Sequence, residues 1–358
     1  MSAQPGAQEW AAGPALHSNI EIDTQLPASM PPVVRQACIA WGITQASVHF
    51  VKYRENWVFR VDTASGSCAL RLHRPGYQTR AAIECEMELL TVLGEAGIAV
   101  PEPIVSAAGL LVEQIIGPDQ VAFFVDLQRW IPDMVQLGDV TDVFVGAAVP
   151  SVAEIEKVGE LAARMHEAII SAQQSGRLNA DARLSWDCAG LVGLRPLWGD
   201  PLRLAENEDD KADLRRAMSR IGQTLAALPA GPGEFGLLHG DLTFENLLWG
   251  SAGLTVIDFD DAGSGWYLFD LATVLGFLTS HPDYPRYEVA LFEGYQRVRA
   301  ISDAQLAAWP SLLLARMLTY LGWAADRRGD EAAEFLRDDF MPHVISMARG
   351  YLTAGQRE

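Results

Sequence analysis

The sequence has few cysteines and few lysines. Its 358 residues include four cysteines and only three lysines, Lys52, Lys157 and Lys211. No two cysteines form a C-x-x-C pair, which argues against a zinc site and against a disulfide framework. We therefore expect reduced thiols, as in cytoplasmic proteins.

A secretory signal and an unbroken apolar run are also missing. No Lys or Arg precedes Arg35, and the first thirty residues contain no apolar stretch. A secretory signal is therefore not expected, and we predict a cytoplasmic protein. The most apolar long stretch, 308–325, is interrupted by Pro310 and Arg316. It predicts a buried helix and not a membrane span.

Basic residues are scarce relative to acidic ones. Lys and Arg total 27 against 46 Asp and Glu, which gives a formal net charge of −19. Such a chain repels nucleic-acid phosphates and anionic membrane surfaces, so neither is an expected partner. The acidity fits solubility or a cationic small molecule. We expect a monomer or homodimer.

The hydrophobic pattern changes along the chain. Residues 1–30 are rich in Ala, Pro, Gly, Gln and Ser and predict a mobile tail. Residues 31–128 predict a β-rich N-lobe with one long helix near 79–96, and residues 129–358 predict a mainly helical C-lobe. The whole predicts an α+β fold of two lobes with a cleft between them.

Two spaced motifs carry the chemistry. The first is H-G-D-L-T-F-E-N at 239–246, and the second is V-I-D-F-D at 256–260. Short strands are predicted between them, at 247–249 and 254–257, with a turn that joins them as a hairpin. The hairpin brings the end of the first motif to the second.

The hairpin register places two oxygen ligands together. If Trp249 faces Leu254, then Asn246 faces about Ile257 and has Asp258 as its diagonal neighbour. An amide oxygen and a carboxylate thus meet at the open end of the hairpin. The aspartate of the first motif lies on the loop that leads into the same end.

A few oxygen ligands of this kind suit Mg²⁺, which keeps waters and takes its other ligands from substrate phosphates. An aspartate beside such a metal can accept the proton of a hydroxyl as a phosphoryl group is transferred. A metallohydrolase is weaker, because no second His accompanies His239 at ligand spacing. His166, in a predicted helix, has a structural interpretation. The alternative without a catalytic role is that the acidic residues of the two motifs are surface loop residues.

The pattern H-G-D-x-x-x-x-N followed by an Asp at a strand end resembles the signature of the aminoglycoside phosphotransferase superfamily. That group includes choline, homoserine and hydroxylysine kinases and a bacterial stress-response protein kinase. The resemblance implies a two-lobed protein-kinase-like fold that uses ATP and Mg²⁺. It implies Asp241 as catalytic base, Asn246 and Asp258 as Mg²⁺ ligands, and His239 and Asp270 as structural support of the catalytic loop.

The resemblance also covers the nucleotide side of the chain. The segment 55–61, which contains Asn56, resembles the family hairpin that covers the nucleotide phosphates, although no G-x-G-x-x-G is present. On the third predicted strand, Arg71 stands where the family has a phosphate-binding Lys. Arginine is longer and planar, so the exchange alters the geometry. Asn56 and Arg71 are thus candidate nucleotide ligands by resemblance.

Glu86 is assigned from helical periodicity. It falls on the apolar face of the helix near 79–96, opposite a polar stripe of Glu84, Glu88, Thr91 and Glu95. A carboxylate on that face needs a cationic partner. Arg71 is the candidate, and the pair would reproduce the strand–helix ion pair of kinases. The alternative is a partly exposed Glu at the edge of the face.

The cues to the acceptor conflict. Four acidic residues could attract an amine or could simply form a solvated helix face: Glu206, Glu208, Asp209 and Asp210. Three arginines could instead meet a carboxylate: Arg183, Arg195 and Arg203. The sequence leaves amino alcohols, amino acids and aminoglycosides open.

The function predicted is transfer of the γ-phosphate of ATP to a hydroxyl of such a small molecule. A protein Ser/Thr kinase is one alternative, but only 259–270 separates the metal aspartate from the next helix, which is short for docking a peptide. A non-catalytic pseudokinase is another. Arg71 in place of Lys favours it mildly, whereas intact Asp241, Asn246 and Asp258 argue against it.

Overall fold

The computed structural model describes residues 19–22, 26–251 and 253–354. The chain forms two compact units, one β-rich and one mainly helical, so the predicted α+β class is confirmed. The first unit consists of Met1–Arg80 and Pro103–Trp130, and the second of Ala81–Glu102 and Ile131–Glu358. The long helix predicted in the N-lobe thus groups with the second unit from Ala81 onward.

The described part of the first unit contains one six-stranded sheet, in the order β1-β2-β3-β4-β6-β5. Within the described strands of this sheet, β1 and β2 pair in parallel and the other neighbouring strands pair antiparallel. The bounds are β1 (Asn19–Ile22), β2 (Gln45–Tyr53), β3 (Asn56–Thr63), β4 (Gly66–His73), β5 (Glu113–Ile116) and β6 (Ala122–Arg129). The predicted β-rich character of the N-lobe is therefore confirmed.

Helix α1 (Met30–Ala40) supplies much of the core of this unit. Its Val33, Val34 and Ala37 are buried with apolar residues of the sheet such as Phe59 and Leu70. Burial of such side chains is the main stabilising term of a small β-rich unit.

The predicted tail is shorter than 1–30. The segment Asn19–Ile22 forms the edge strand β1, because Ile20 is buried in the core and the backbone pairs with β2. Residues 26–30 of the predicted tail are also described and lead into α1, which begins at Met30, whereas residues 1–18 and 23–25 lie outside the described residues.

The second unit begins with α2 (Arg80–Glu95, in this unit from Ala81), close to the predicted 79–96. The other α-helices are α3 (Val140–Val145), α4 (Val152–Gln174), α5 (Cys188–Val192), α6 (Glu208–Ala227), α7 (Leu268–Gly276), α8 (Tyr284–Gln296), α9 (Asp303–Ala325), α10 (Glu331–Phe335) and α11 (Met341–Ala354). A π-helical segment, Leu336–Phe340, joins the last two. A capping box of Ser151 and Glu154 opens α4.

Helix α9 corresponds to the broken apolar stretch. It contains Pro310 and is buried over most of its length, as predicted. Among the described helices, none combines the length and the apolarity that a membrane crossing requires.

Two small sheets build the second unit around the motif loops. The first has the order β11-β10-β7, formed by β7 (Val135–Gln136), β10 (Leu247–Gly250) and β11 (Gly253–Val256). Trp249 pairs with Leu254, so the predicted hairpin register is confirmed. The second has the order β8-β12-β9, formed by β8 (Leu184–Trp186), β9 (Phe235–Leu238) and β12 (Gly263–Trp266).

Candidate active site

The first motif forms a tight loop directly after β9. Gly240 has a φ of 83°, in the left-handed region that favours glycine. A Cβ on this residue would lie 2.3 Å from the carbonyl oxygen of Asp261 and 2.8 Å from Nε1 of Trp186. The loop therefore requires glycine at this position both for its backbone conformation and for its close packing.

Asp270, in the first turn of α7, holds the backbone of this loop. The amide of His239 donates to Oδ2 of Asp270 and the amide of Gly240 donates to Oδ1, each at 2.9 Å. Asp270 is fully buried. Burial alone raises the pKa of this carboxyl, but its hydrogen bonds with His166 and the backbone of His239 lower the pKa overall.

A buried hydrogen-bonded chain supports Asp270 from the side of α4. His166 Nε2 lies 3.0 Å from Asp270 Oδ2, and His166 Nδ1 lies 3.0 Å from the hydroxyl of Tyr295. Arg299 Nε donates to that hydroxyl at 3.0 Å. Burial lowers the pKa of His166, so a neutral ring donates from Nε2 to Asp270 and accepts from Tyr295 at Nδ1. His166 is therefore structural, as the sequence suggested. It supports the motif loop through its hydrogen bond with Asp270.

Replacing Asp270 by asparagine is expected to lower the free energy of unfolding by about 2–3 kcal/mol, because one of its buried acceptors becomes a donor facing N–H groups. Urea titration followed by tryptophan fluorescence measures the change. Asp326→Asn is the matched control, since Asp326 forms an exposed pair with Arg203 and should leave the midpoint nearly unchanged. Equal midpoints for the two variants would contradict the bracing role.

His239 ties the same loop to the hairpin. Its Nε2 donates to the carbonyl oxygen of Ile257 at 3.0 Å, and its Nδ1 accepts from the amide of Asp241 at 3.2 Å. Both ring nitrogens are therefore engaged by backbone, which leaves no nitrogen for a metal. This arrangement argues against the metallohydrolase alternative.

Asn246 and Asp258 lie at the same end of the hairpin. The amide of Ile257 donates to the carbonyl oxygen of Asn246 at 3.0 Å, which continues the β10–β11 register by one pair. The side-chain nitrogen of Asn246 donates to the carbonyl oxygen of Asp241 at 2.8 Å and approaches its Oδ2 at 3.3 Å. Both contacts involve the amide nitrogen of Asn246 and neither involves its amide oxygen.

Asp258 has an uncommon backbone conformation. Its φ is 64°, a value that non-glycine residues adopt rarely and that Asp tolerates better than most. Such conformations persist where the surrounding structure fixes them, often at functional sites. Among the described residues, no group of three or more His, Cys, Asp or Glu is placed to hold a metal ion. The donors present at the hairpin end are one carboxylate and one amide oxygen.

Asp241 has a partner that the sequence reasoning missed. Nη2 of Arg316, on α9, donates to Oδ1 of Asp241. The arginine side chain is fully buried, whereas 24% of the aspartate side chain is exposed. The sequence signal was available, because an arginine inside an apolar helix needs a partner just as Glu86 does.

Several carboxylates crowd the loop. Burial raises the pKa of Asp241, the charge of Arg316 lowers it, and the charge of Asp258 raises it again; the net effect is upward. Burial, Asp241 and Asp260 raise the pKa of Asp261 well above its ordinary value. A cluster of this sign favours a bound cation.

Arg183 holds the segment that follows Asp258. Its Nε donates to the carbonyl oxygen of Ala262 at 2.6 Å, and its Nη2 donates to those of Phe259 at 3.0 Å and Asp260 at 2.5 Å. Its Nη1 lies 3.8 Å from Oε2 of Glu86 on α2. These contacts bury Arg183, so it is not placed to meet a substrate carboxylate.

Glu86 itself is 1% exposed, as its periodicity predicted. The alternative of a partly exposed Glu is therefore wrong, because α2 packs its apolar face inward. Pairing of Glu86 with Arg71 stays a prediction.

In the first unit, Arg71 lies on β4 and is buried. Its Nε donates to both carboxylate oxygens of Asp126 on β6, at 3.2 and 3.0 Å. His73 Nε2 is 2.6 Å from the same carboxylate. Burial raises the pKa of Asp126, but Arg71 and His73 lower it overall. Asn56, the first residue of β3, is also buried and pairs with His73 in the sheet.

The acidic run that could have attracted an amine is a solvated helix face. Glu208 pairs with Lys211 at 2.8 Å and Asp210 pairs with Arg349 at 2.7 Å. These contacts favour a solvated helix face over a substrate site.

The chain is similar to known phosphotransferases. Residues 51–312 match the sequence model of the phosphotransferase enzyme family. An amicoumacin kinase of Bacillus subtilis is 25% identical over 301 residues, which cover 80% of this chain and 83% of that protein. A homoserine kinase of Nitrobacter winogradskyi is 27% identical over 275 residues, which cover 75% and 74%.

A solved structure of a microcompartment-associated aminopropanol kinase has a TM-score of 0.75 and 26% identity. The match covers 90% of this chain and 98% of that one. The two-lobed protein-kinase-like class predicted for the fold is therefore confirmed.

Proposed function

Because the chain belongs to the phosphotransferase enzyme family, it is a small-molecule phosphotransferase that acts on a hydroxyl group, and we propose that it transfers the γ-phosphate of ATP to an amino alcohol, an amino acid or an aminoglycoside. The proposal includes Mg²⁺ as the metal, a cytoplasmic location, and a monomer or homodimer. Four free cysteines agree with a reducing compartment.

The observation that carries the proposal is the joint placement of Asp241, Asn246 and Asp258. Asn246 donates to Asp241 and lies at the hairpin end next to the segment of Asp258. Burial raises the pKa of Asp241, and the charge of Asp258 raises it further, while Arg316 opposes both effects. Asn and Asp oxygens suit Mg²⁺, and the negative cluster would be relieved by it.

In the proposed reaction, Asp241 orients the acceptor hydroxyl and takes its proton as the acceptor oxygen bonds to the γ-phosphorus and the bond to ADP breaks. Asn246 and Asp258 would hold Mg²⁺, which neutralises phosphate charge when bound. Asp270 and His239 keep the loop backbone in place. Arg183 does the same for the segment after Asp258.

On the nucleotide side we propose Arg71 as the phosphate ligand, with Glu86 as its ionic partner and Asn56 near the phosphates. The buried Asp126 supports this, because its carboxylate fixes the Nε end of Arg71. An arginine held in this way loses less freedom when it binds phosphate.

Arg71→Ala is expected to raise the KM for ATP by about 10- to 100-fold, since a charge-assisted contact is lost, and to leave the KM for the acceptor nearly unchanged. Arg71→Lys should retain most of the ATP affinity because it keeps the charge. Initial rates at varied ATP and saturating acceptor measure this. An unaltered KM for ATP in a folded Arg71→Ala protein would mean that another group binds the phosphates.

The proposed acceptor classes are supported by the substrates in the names of similar proteins. The names aminopropanol kinase and homoserine kinase indicate that those two proteins act on small amine-bearing alcohols. A protein acceptor is less well supported here. The segment after Asp258 forms β12, which pairs with β8 on one side and β9 on the other. Its backbone is therefore not available to dock a peptide strand.

An ATP-consumption screen tests the proposal. Purified protein with ATP and Mg²⁺ is offered amino alcohols, hydroxy amino acids, aminoglycosides and a generic protein acceptor, with Asp241→Asn protein as the control. Acceptor-dependent ADP release with one small-molecule class, absent from the control, would support the proposal. Release only with the protein acceptor, or equal release by the control, would overturn it.

A further inference from the structure

Arg316 is a charged residue in a place where charge is costly. Helix α9 is buried along most of its length, and the Arg316 side chain has no exposed surface. A buried guanidinium destabilises the fold unless its partners compensate for lost hydration. Its contacts therefore indicate what it is for.

The guanidinium is enclosed by aromatic rings. Its central carbon lies 4.1 Å from the ring centre of Tyr320, 4.5 Å from that of Trp198 and 5.3 Å from that of Phe269. Such positions over ring faces are favourable for a cation. Nη2 also donates to the Tyr320 hydroxyl at 2.9 Å. The rings hold the guanidinium plane in one orientation.

The rings are themselves fixed by packing. Tyr320 packs against Phe277, with ring centres 4.7 Å apart, and against Phe340 of the π-helical segment at 6.1 Å. Trp198 donates from Nε1 to Oδ1 of Asp261 at 3.2 Å. The arginine is thus held from two sides and has little freedom to swing toward a substrate.

The one bond that Arg316 directs at the motif loop is to Oδ1 of Asp241. Among the described residues, the other oxygen, Oδ2, has one hydrogen-bond contact, at 3.3 Å with the side-chain nitrogen of Asn246. The two carboxylate oxygens are therefore unequal. The charge-assisted bond occupies Oδ1, which leaves Oδ2 as the oxygen with more acceptor capacity.

We propose that Arg316 is a positioning residue for the phosphoryl transfer: it anchors Oδ1 of Asp241 so that Oδ2 faces the acceptor hydroxyl and receives its proton. This inference rests on the proposed role of Asp241 as the proton acceptor. Arg316 does not contact the reacting atoms. Its effect is to select one rotamer of Asp241 and one of its two oxygens, which is the kind of orientation that sets the rate of the chemical step.

The test uses the acceptor that the screen identifies and compares Arg316→Met, Arg316→Lys and Arg220→Met. Arg220 is the matched control, because it also stacks on a ring, that of Tyr351, but lies away from the loop. Arg316→Met should lower kcat by about 10- to 100-fold with little change in either KM. Arg316→Lys should recover part of this, and Arg220→Met should turn over like the parent.

A double variant separates positioning from general damage to the fold. If Arg316 acts through Asp241, then adding Arg316→Met to Asp241→Asn should cause little further loss of kcat. The same fold-loss in both backgrounds, or an unchanged kcat in the single variant, would overturn the proposal. If Asp241→Asn itself retains full turnover, the proposed function fails instead, so the two failures are distinguishable.

Chemical rescue gives an independent measurement and also covers the case in which Arg316→Met folds poorly. Millimolar guanidinium added to Arg316→Ala should raise kcat, because the ring-lined space can take up the free cation, whereas urea at the same concentration should not. Equal effects of guanidinium and urea, or no effect of either in protein that melts like the parent, would contradict a charge-based role.

Discussion

Replacing Asp241 by asparagine is expected to lower kcat by about 10²- to 10⁴-fold while ATP binding persists. The amide keeps the shape of the side chain and can still accept from Arg316, but it cannot take a proton from the acceptor hydroxyl. Binding of nucleotide depends on other residues, so its affinity should change little. Calorimetric titration with ATP and Mg²⁺, together with acceptor-dependent ADP release, measures the two quantities.

Asp303→Asn is the matched control for this variant. Asp303 lies exposed in the first turn of α9, the same helix that carries Arg316. The control should retain the parental kcat. Parental turnover in Asp241→Asn would remove Asp241 from the proton-transfer role, and loss of ATP binding would indicate that the variant has altered the site as a whole.

Replacing Asp258 by alanine is expected to abolish the Mg²⁺-dependent part of ATP binding and with it turnover. The carboxylate is the negatively charged member of the proposed ligand pair. Removing a residue that only supports a metal ligand typically lowers metal affinity by about 10- to 100-fold, and removing a ligand itself should cost at least as much. The Mg²⁺ concentration needed for half-maximal ATP binding should therefore rise by at least that factor. A Mg²⁺ titration of ATP binding at fixed nucleotide concentration measures it.

Backbone strain must be separated from ligand loss at Asp258, because its φ is 64°. Asparagine tolerates this conformation better than alanine. Asp258→Asn should therefore fold like the parent and still bind Mg²⁺–ATP weakly. A parental Mg²⁺ titration in either variant would refute the ligand assignment.

The hairpin of the site could be predicted because its determinants are local. A short turn between two apolar strands fixes the register, and the register fixes which residues share the open end. The pairing of Trp249 with Leu254 follows from this, and so does the approach of Asn246 to Ile257. Helix α2 was likewise predictable from its period, including the burial of Glu86.

The β8-β12-β9 sheet could not be predicted, because the sequence of its central strand, β12, has little β-forming character. Strand β12 is G-S-G-W, and glycine is depleted in strands. The structure gives the reason for two of these glycines. A Cβ on Gly263 would lie 2.6 Å from the carbonyl oxygen of Leu184, and one on Gly265 would lie 3.0 Å from side-chain atoms of Leu238 and Trp186. Close packing of neighbours far apart in the chain selects these residues.

The long sequence separation between contacting residues also explains why the partners of Arg316 and Arg183 could not be predicted. Sequence shows that an arginine lies in an apolar helix, but its partner Asp241 is 75 positions away. Arg183 was considered as a ligand for a substrate carboxylate, yet it donates to backbone carbonyls 76 to 79 positions away. Backbone acceptors leave no trace in residue identity, so such contacts are visible only in three dimensions.

The packing around Gly240 has a consequence for how the enzyme can change over time. Because any side chain at this position would collide with the backbone at Asp261 and with Trp186, the position is closed to the arginine of the H-R-D loop found in protein kinases. In a library of all single substitutions, we expect position 240 to tolerate none, whatever acceptor is used for selection.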